Sequence, residues 1–394
     1  MSSAPFEVKW GILATGGIAT TFTKDLLVNP STRSVSDIKH IVAGAASSTS
    51  QSRASTFLQE VGAPSSAKAY GSYSELVSDP NIDIIYVATP HSHHFQNTML
   101  ALNAGKHVLC EKAFTVNAAQ ARKLVETAKA KGLFLMEAVW TRYFPLSIKI
   151  REMVQAGTIG KVHRVTADLS FGSSAEDGNL TFSDTHRMVN PDLAGGALLD
   201  LGIYSLTWVF QILYHCQPVS ERQKPSVLAA VQKYKTGADE STNMVLQFGD
   251  QSMGIATTSL RVATTPDGEG SPAAGPAARI QGEKGEIQVI GPLYRPLHYR
   301  VIMKGGEKGV VEDVSCPIPS DPEKGGWGHG MFWEADEAGR CLRDGKKQSE
   351  GLGWEESLVI METMDEVRNQ GGLKYPDLIE TDVFDEQSSL NTGK

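Results

Sequence analysis

The chain has 394 residues, 41% hydrophobic and 21% charged, with a formal net charge of −8. That length admits two domains with buried cores, and the acidic balance argues against nucleic acid or an anionic membrane as partner. Met1-Ser2-Ser3-Ala4-Pro5-Phe6-Glu7 lacks a signal pattern, no apolar run approaches the roughly 20 residues of a bilayer span, and Cys110, Cys216, Cys316 and Cys341 show neither zinc spacing nor a disulfide framework, so a cytosolic protein is expected.

Residues 8–13 read as a buried strand that ends in Ala14-Thr15-Gly16-Gly17, and a helical pattern follows over 18–27. Strand patterns at 38–46, 67–70, 83–88, 108–110 and 133–136 then alternate with helical ones at 52–61, 73–77, 95–104 and 117–132. This is the βαβ rhythm of a doubly wound parallel sheet. After Trp140 the rhythm changes. A helix at 147–155 and an apolar helix at 197–213 accompany strand-like runs at 162–171, 227–235, 241–248, 252–260, 278–282, 286–290 and 299–303. Strands in succession without helices between them predict an open, largely antiparallel sheet. Residues 264–276 read as a loop, 332–343 and 355–369 as amphipathic helices, and 386–394 as a frayed polar tail. The expected fold is α/β: a dinucleotide-binding Rossmann domain over 1–140 and an α+β domain over 141–394.

Ala14-x-Gly16-x-x-Ala19 stands where a dinucleotide fingerprint stands, after a strand and opening a helix. Gly16 lets the backbone approach a pyrophosphate, Ala19 allows close helix–strand packing, and the amides around Gly17 and Ile18 suit phosphate charge. The second strand ends Gly44-Ala45-Ala46-Ser47-Ser48-Thr49, without the acid that would bond a ribose 2′-hydroxyl. Ser47, Ser48 and Arg53 suit a 2′-phosphate instead, and NADP is predicted over NAD.

Glu111-Lys112 ends the fifth strand, at the sheet edge where ligands bind in such folds. Asp200 and Tyr204, at i and i+4 in the apolar Gly195-Gly196-Ala197-Leu198-Leu199-Asp200-Leu201-Gly202-Ile203-Tyr204, share a helix face. An aspartate in that setting needs a partner. Oxidising an alcohol requires a base for the hydroxyl proton. A nearby lysine lowers a tyrosine pKa from about 10. Tyr204 is therefore read as the base, Lys112 as its charge partner and Asp200 as an orienting group; Lys112 as the proton acceptor is the other assignment. Thr89, His91 and His94 are expected as cofactor contacts, His94 also facing substrate. Three histidines at 91, 93 and 94 lack a carboxylate or cysteine at ligand spacing, and no metal is expected. Trp140 and Arg142 are assigned to the cofactor side. Trp140, Phe171 and Arg187 are assigned to the substrate.

Trp10-Gly11-Ile12-Leu13-Ala14-Thr15-Gly16-Gly17-Ile18-Ala19, Glu111-Lys112 and the segment from Gly195 to Tyr204 together resemble the family of glucose–fructose oxidoreductase, inositol dehydrogenase and MocA-type proteins. Gly345-Lys346, Glu355-Glu356-Ser357-Leu358 and Tyr375-Pro376 also look like family positions. Ala113 and Ala14 depart from the pattern, which has proline and glycine there. Within the family the chain looks most like dihydrodiol dehydrogenases and fungal NADP-dependent sugar dehydrogenases. The resemblance implies oxidation at C1 of a pyranose such as D-xylose to its 1,5-lactone, Lys112 and Tyr204 in proton transfer, and a homodimer through the open face of the second sheet. It also leaves two alternatives: a dihydrodiol dehydrogenase, and a dinucleotide-binding regulator without catalysis.

Overall fold

The computed structural model describes residues 4–305 and 311–392. The chain forms two units: one takes the chain up to Trp140 with Ile318–Ser357 and the part from Asp377 on, the other Thr141–Pro317 and Leu358–Pro376.

Among the described residues of the first unit, β1 (Phe6–Leu13), β2 (Ile38–Ala46), β3 (Lys68–Tyr70), β4 (Ile84–Val87), β5 (His107–Glu111) and β6 (Leu135–Ala138) make a parallel sheet in the order β3-β2-β1-β4-β5-β6. The helices between them are α1 (Gly17–Leu26), α2 (Gln51–Glu60), α3 (Tyr73–Ser78), α4 (His94–Asn103) and α5 (Ala118–Lys131). Every residue of β4 is buried, as a central strand covered on both faces requires. α5 begins where Asn117 accepts the Gln120 amide (2.9 Å) and stops at Gly132, which takes the left-handed φ of +64°. Strand order reverses between β1 and β4, which opens a crevice at their carboxyl ends.

In the second unit α6 (Pro145–Gln155) and β7 (Val162–Asp168) lead to a wide π turn, Leu198–Gly202, that runs into α7 (Ile203–Leu213). β8 (Ser226–Lys233), β9 (Asp239–Gln247), β10 (Met253–Ser259), β11 (Ala278–Gly282), β12 (Gly285–Ile290), β13 (His298–Met303) and β14 (Val311–Ser315) complete a sheet ordered β14-β13-β12-β11-β7-β10-β9-β8. Among the described strands of this sheet only β7 and β10 pair in parallel. α7 is buried along its length and lies on β7 and β10; a Cβ at Gly254 would meet Val209 Cγ1 at 2.4 Å, so glycine lets helix and strand approach. The stretch Pro191–Leu213 is, against expectation, long and apolar enough to cross a membrane, but its most apolar window is 94% buried in the fold, as a core helix is. The strand β14 was not expected: its Val-Glu-Asp-Val-Ser is too polar to stand out and pairs only at the sheet edge.

Ile318–Ser357 and the part from Asp377 on belong to the first unit rather than to the second as expected, while Leu358–Pro376 stays with the second. α8 (Phe332–Arg343) packs on β1 and β2 of the first unit, where a Cβ at Gly339 would meet Ile38 Cγ2 at 2.9 Å. Arg33 and His40 both reach Asp336 on that helix (2.7 and 2.9 Å). α9 (Trp354–Gly371), α10 (Asp377–Glu380) and α11 (Ser389–Thr392) follow. The predicted frayed tail is instead docked as far as it is described: Leu390 and Asn391 are buried, and Asn97 Nδ2 donates to the Leu390 carbonyl (2.9 Å). Residues 1–3 and 393–394, parts of the N-terminal and tail readings, lie outside the described residues.

Candidate active site

At the carboxyl end of β1, Ala14 takes a φ of +91°, in the region where an L side chain clashes and glycine does not. The chain thus keeps the backbone path of the fingerprint without its first glycine. Gly16 caps α1 with no side-chain hydrogen bond, and Cβ atoms built at Gly16 or Gly17 would meet nothing within 4 Å. Gly16, Gly17 and Ile18 are exposed, while Ala19 is fully buried against the sheet. No neighbour among the described residues demands these glycines, and free amides at a helix start are an anion site. Beside them a cavity of about 370 Å³ is lined by Thr15, Ser52, Arg53, Thr56, Phe57 and Glu60. Arg53 Nε donates to Thr15 Oγ1 (3.3 Å). These residues fit a dinucleotide with a 2′-phosphate. Ser47 departs from the expectation: it is buried and bonded to Thr49 Oγ1 (2.9 Å), and Ser48 engages Tyr73, so the serines shape the loop while Arg53 faces the cavity.

The ends of β4, β5 and β6 bring Thr89–His94, Glu111–Lys112 and Trp140 to the same edge of the sheet. The Lys112–Ala113 peptide is cis. Glu111, buried, receives Tyr86 Oη and the Lys112 amide (3.1 Å). Behind them Glu137 accepts the Phe114 amide (3.0 Å) and Ser357 Oγ (2.6 Å). Ala113 is itself fully buried. The turn is thus pinned from both sides despite the missing proline.

His94 differs from its expected role. It is 1% exposed, with Nδ1 at the Ala113 carbonyl (2.8 Å) and Nε2 at the Thr89 carbonyl (2.9 Å). Both ring nitrogens face main-chain carbonyls, which makes the ring a tie across the lysine turn. Burial pushes its pKa down to about 4 against the upward pull of the two carbonyls, so at neutral pH the ring is neutral and donates to only one of them. His91 packs edge-on to His94 (5.6 Å), and Thr89 Oγ1 is buried with no hydrogen bond among the described residues. Among those residues no group of three or more His, Cys, Asp or Glu is arranged to hold a metal.

In the second unit Gly195-Gly196 opens the π turn. Asp200, within that turn, is buried and pairs with the exposed Arg187 (3.2 Å), and Tyr204 follows on α7, 5% exposed. A wide turn of this kind is often found at functional sites. Tyr294 lies 6.1 Å from the Tyr204 ring and 6.2 Å from that of Phe171, and its hydroxyl donates to Glu269 (2.6 Å). Phe171, Arg187, Asp200 and Tyr204 are therefore gathered by one aromatic and ionic neighbourhood. Arg142, expected at the cofactor, is instead wholly buried; its carbonyl accepts Arg151, which also reaches Gln211 (2.9 Å), marking a packed interior.

Sequence reading missed Tyr294, whose signal was an aromatic after a Gly-Pro turn. It also missed His329, which stacks on Trp140 (5.0 Å) in the first unit. Glu334 gave no signal. It is fully buried on α8, neither carboxyl oxygen has a hydrogen-bond partner among the described residues, and burial, aided by Glu111 and Asp25, raises its pKa well above the usual range.

Residues 8–139 match the profile of an oxidoreductase family with an NAD-binding Rossmann fold, and residues 147–288 match the GFO/IDH/MocA C-terminal domain. The chain is 62% identical over 394 residues to a D-xylose 1-dehydrogenase (NADP(+)) of Hypocrea jecorina, covering 100% of this chain and 99% of that one. It is 36% identical over 369 residues to a trans-1,2-dihydrobenzene-1,2-diol dehydrogenase of Macaca fascicularis, covering 94% and 98%. An NAD-binding oxidoreductase from Klebsiella pneumoniae has the same fold, with a TM-score of 0.74 at 20% identity over 92% of this chain and 96% of that one.

Proposed function

Since the chain belongs to the GFO/IDH/MocA oxidoreductase family, we propose that it is an NADP-dependent aldose 1-dehydrogenase that oxidises the C1 hydroxyl of D-xylopyranose to D-xylono-1,5-lactone. The observation that carries this reading is the end-to-end likeness, 62% identical with almost nothing of either chain left over. The open glycine cradle and the cavity around Arg53 support the cofactor choice. When bound, NADP accepts the hydride that leaves C1. Tyr204 takes the C1 hydroxyl proton, Asp200, oriented by Arg187, holds a neighbouring sugar hydroxyl, and Lys112 is given a part in the proton transfer.

Steady-state kinetics with D-xylose and NADP test this. Tyr204→Phe is expected to lower kcat by about 100-fold or more while leaving NADP affinity unchanged; near-normal turnover removes Tyr204 as the base. The second reading, a dihydrodiol dehydrogenase, is favoured by the 36% relatives. A higher kcat/KM for a benzene dihydrodiol than for xylose would establish it. The protein is further proposed to be cytosolic and homodimeric. Leu228 and Val245, cross-strand partners on β8 and β9, expose 73% and 37% of their surface, an apolar pair suited to a second copy. A monomer by light scattering at working concentration would refute the dimer.

A further inference from the structure

The Gly195-Gly196 pair is closed from behind by a residue outside the sequence-derived site. Asp239, first residue of β9, is 1% exposed. Its Oδ2 accepts the Leu198 amide (2.7 Å) and Thr242 Oγ1 (2.9 Å). Its Oδ1 makes no hydrogen bond among the described residues and lies 2.0 Å from where a Cβ on residue 196 would stand. Gly196, at φ +132°, thereby makes room for the carboxylate, and a Cβ on Gly195 would meet the main chain of Arg187 at 2.5 Å and of Asn190 at 2.8 Å. An anion at the start of a helical segment is favoured by its free amides. An Asn or Ser accepts the same amide without the cost of a buried charge. A charge kept there at a cost points to a use for it.

We propose that Asp239 is a positioning residue for the reaction: through the Leu198 amide its carboxylate fixes the π turn that presents Asp200 and leads into Tyr204. This rests on the roles given to those two side chains above. The other charges around Asp239 are accounted for. Arg368 on α9 is the cation that acts on it. Lys233, opposite it on β8, turns its Nζ to the Gly372 carbonyl (2.6 Å), Glu240 pairs with Arg261 (2.8 Å) and Asp200 with Arg187. Burial raises the Asp239 pKa to about 6, so the anion is lost as pH falls through that value.

The test compares Asp239→Ala, Asp239→Asn and Thr242→Val with the native enzyme, with kcat for xylose followed from pH 5 to 8. Asp239→Ala is expected to lower kcat about 10-fold or more with NADP affinity within about twofold, because the damage is one of geometry at the proton-transfer group. The native profile is expected to fall with an apparent pKa near 6. Asp239→Asn should lose that limb, and Thr242→Val, which removes one donor from the carboxylate, should move it to higher pH. A kcat for Asp239→Ala within about twofold of native, or an acid limb unmoved in the other two variants, overturns the proposal. Should Asp239→Ala fail to fold, the Asn and Val profiles decide. Tyr204→Phe is assayed beside them: if it stays active the role of Tyr204 is wrong, and if it is inactive while the Asp239 and Thr242 variants behave as native, only the present inference fails.

Discussion

Gly16-Gly17 in the first unit and Gly195-Gly196 in the second each lead into a helix whose first turn lies at a candidate ligand or catalytic position. Around the first pair there is open space: an added Cβ meets nothing within 4 Å. Around the second there is none, with main-chain atoms at 2.5 Å from a Cβ on Gly195 and a carboxylate oxygen at 2.0 Å from one on Gly196. The first helix start leaves its anion-binding amides without a side-chain cap, and the second supplies its own anion from Asp239. Two identical dipeptides thus carry different constraints: one has no packing reason within its own unit and suits a guest, the other is required by the fold itself.

The largest expected effect separates these constraints directly. Gly196→Ala sets a side chain at a positive φ and against a buried carboxylate, and is expected to cost more than about 3 kcal/mol of stability. Gly16→Ala, at φ −82° with free space around it, is expected to change stability by less than about 0.5 kcal/mol. Its effect belongs in NADP affinity, weakened by about 10-fold as the methyl enters the phosphate path. Denaturant titration and cofactor fluorescence read the two quantities. Equal destabilisation by both substitutions would erase the contrast.

One buried titratable group in each unit, His94 at the lysine turn and Asp239 behind Gly196, is expected to respond to pH in a direction opposite to the other. His94 has a folded pKa of about 4, below the ordinary 6.5, so the unfolded chain binds the extra proton more readily. Its stabilising contribution is full above pH 6.5 and is lost as pH falls to about 4, amounting to about 3 kcal/mol. Asp239 has a folded pKa of about 6, above the ordinary 3.8. Its ionisation penalty is full above pH 6 and is relieved as pH falls toward 3.8, by about 3 kcal/mol in the other direction. Hydrogen exchange at pH 7 and 4.5 should therefore show amides around Phe114 losing protection relative to those of α7. His94→Asn and Asp239→Asn should each flatten the response of their own unit only. A parallel response in both units would contradict the assignments.

Much of the fold was legible because its signals are local. The strand at 38–46 and the helix at 332–343 were read with the bounds they have, since period-2 and period-3.6 apolar patterns need no knowledge of partners. What that helix covers was not legible: its apolar stripe fits any core, and the choice of β1 and β2 depends on contacts some 300 residues away, such as Arg33 with Asp336. The end of the strand at 162–171 was set too late because Phe171 still bonds to Ser259 after regular pairing has stopped at Asp168. Gly16, Arg53 and Lys112 in the first unit, and Asp200 and Tyr204 in the second, stood out as residue types at telling positions. The direction of the Ser47 hydroxyl, the double engagement of His94 and the clasp of Asp239 on Leu198 did not, because each is decided by a partner that local pattern does not name.

The smallest effect concerns the residue two places before Gly16, the first of the open glycine pair. Ala14 holds a φ of +91°, which costs an L residue roughly 1–2 kcal/mol relative to its relaxed conformations and costs glycine nothing. Glycine also has more freedom to lose on folding, and this returns part of the difference. Ala14→Gly is therefore expected to stabilise the first unit by about 1 kcal/mol, with cofactor affinity unchanged because the backbone path is already the one glycine would take. The same substitution distinguishes strain held for the cofactor from strain that is merely tolerated. If Ala14→Gly gains stability and keeps the NADP dissociation constant, the methyl has no part in binding. If affinity falls as stability rises, the restricted backbone of Ala14 is what holds the neighbouring Gly16 amides in a binding-ready arrangement, and the emptiness around that pair is preorganised by the alanine beside it.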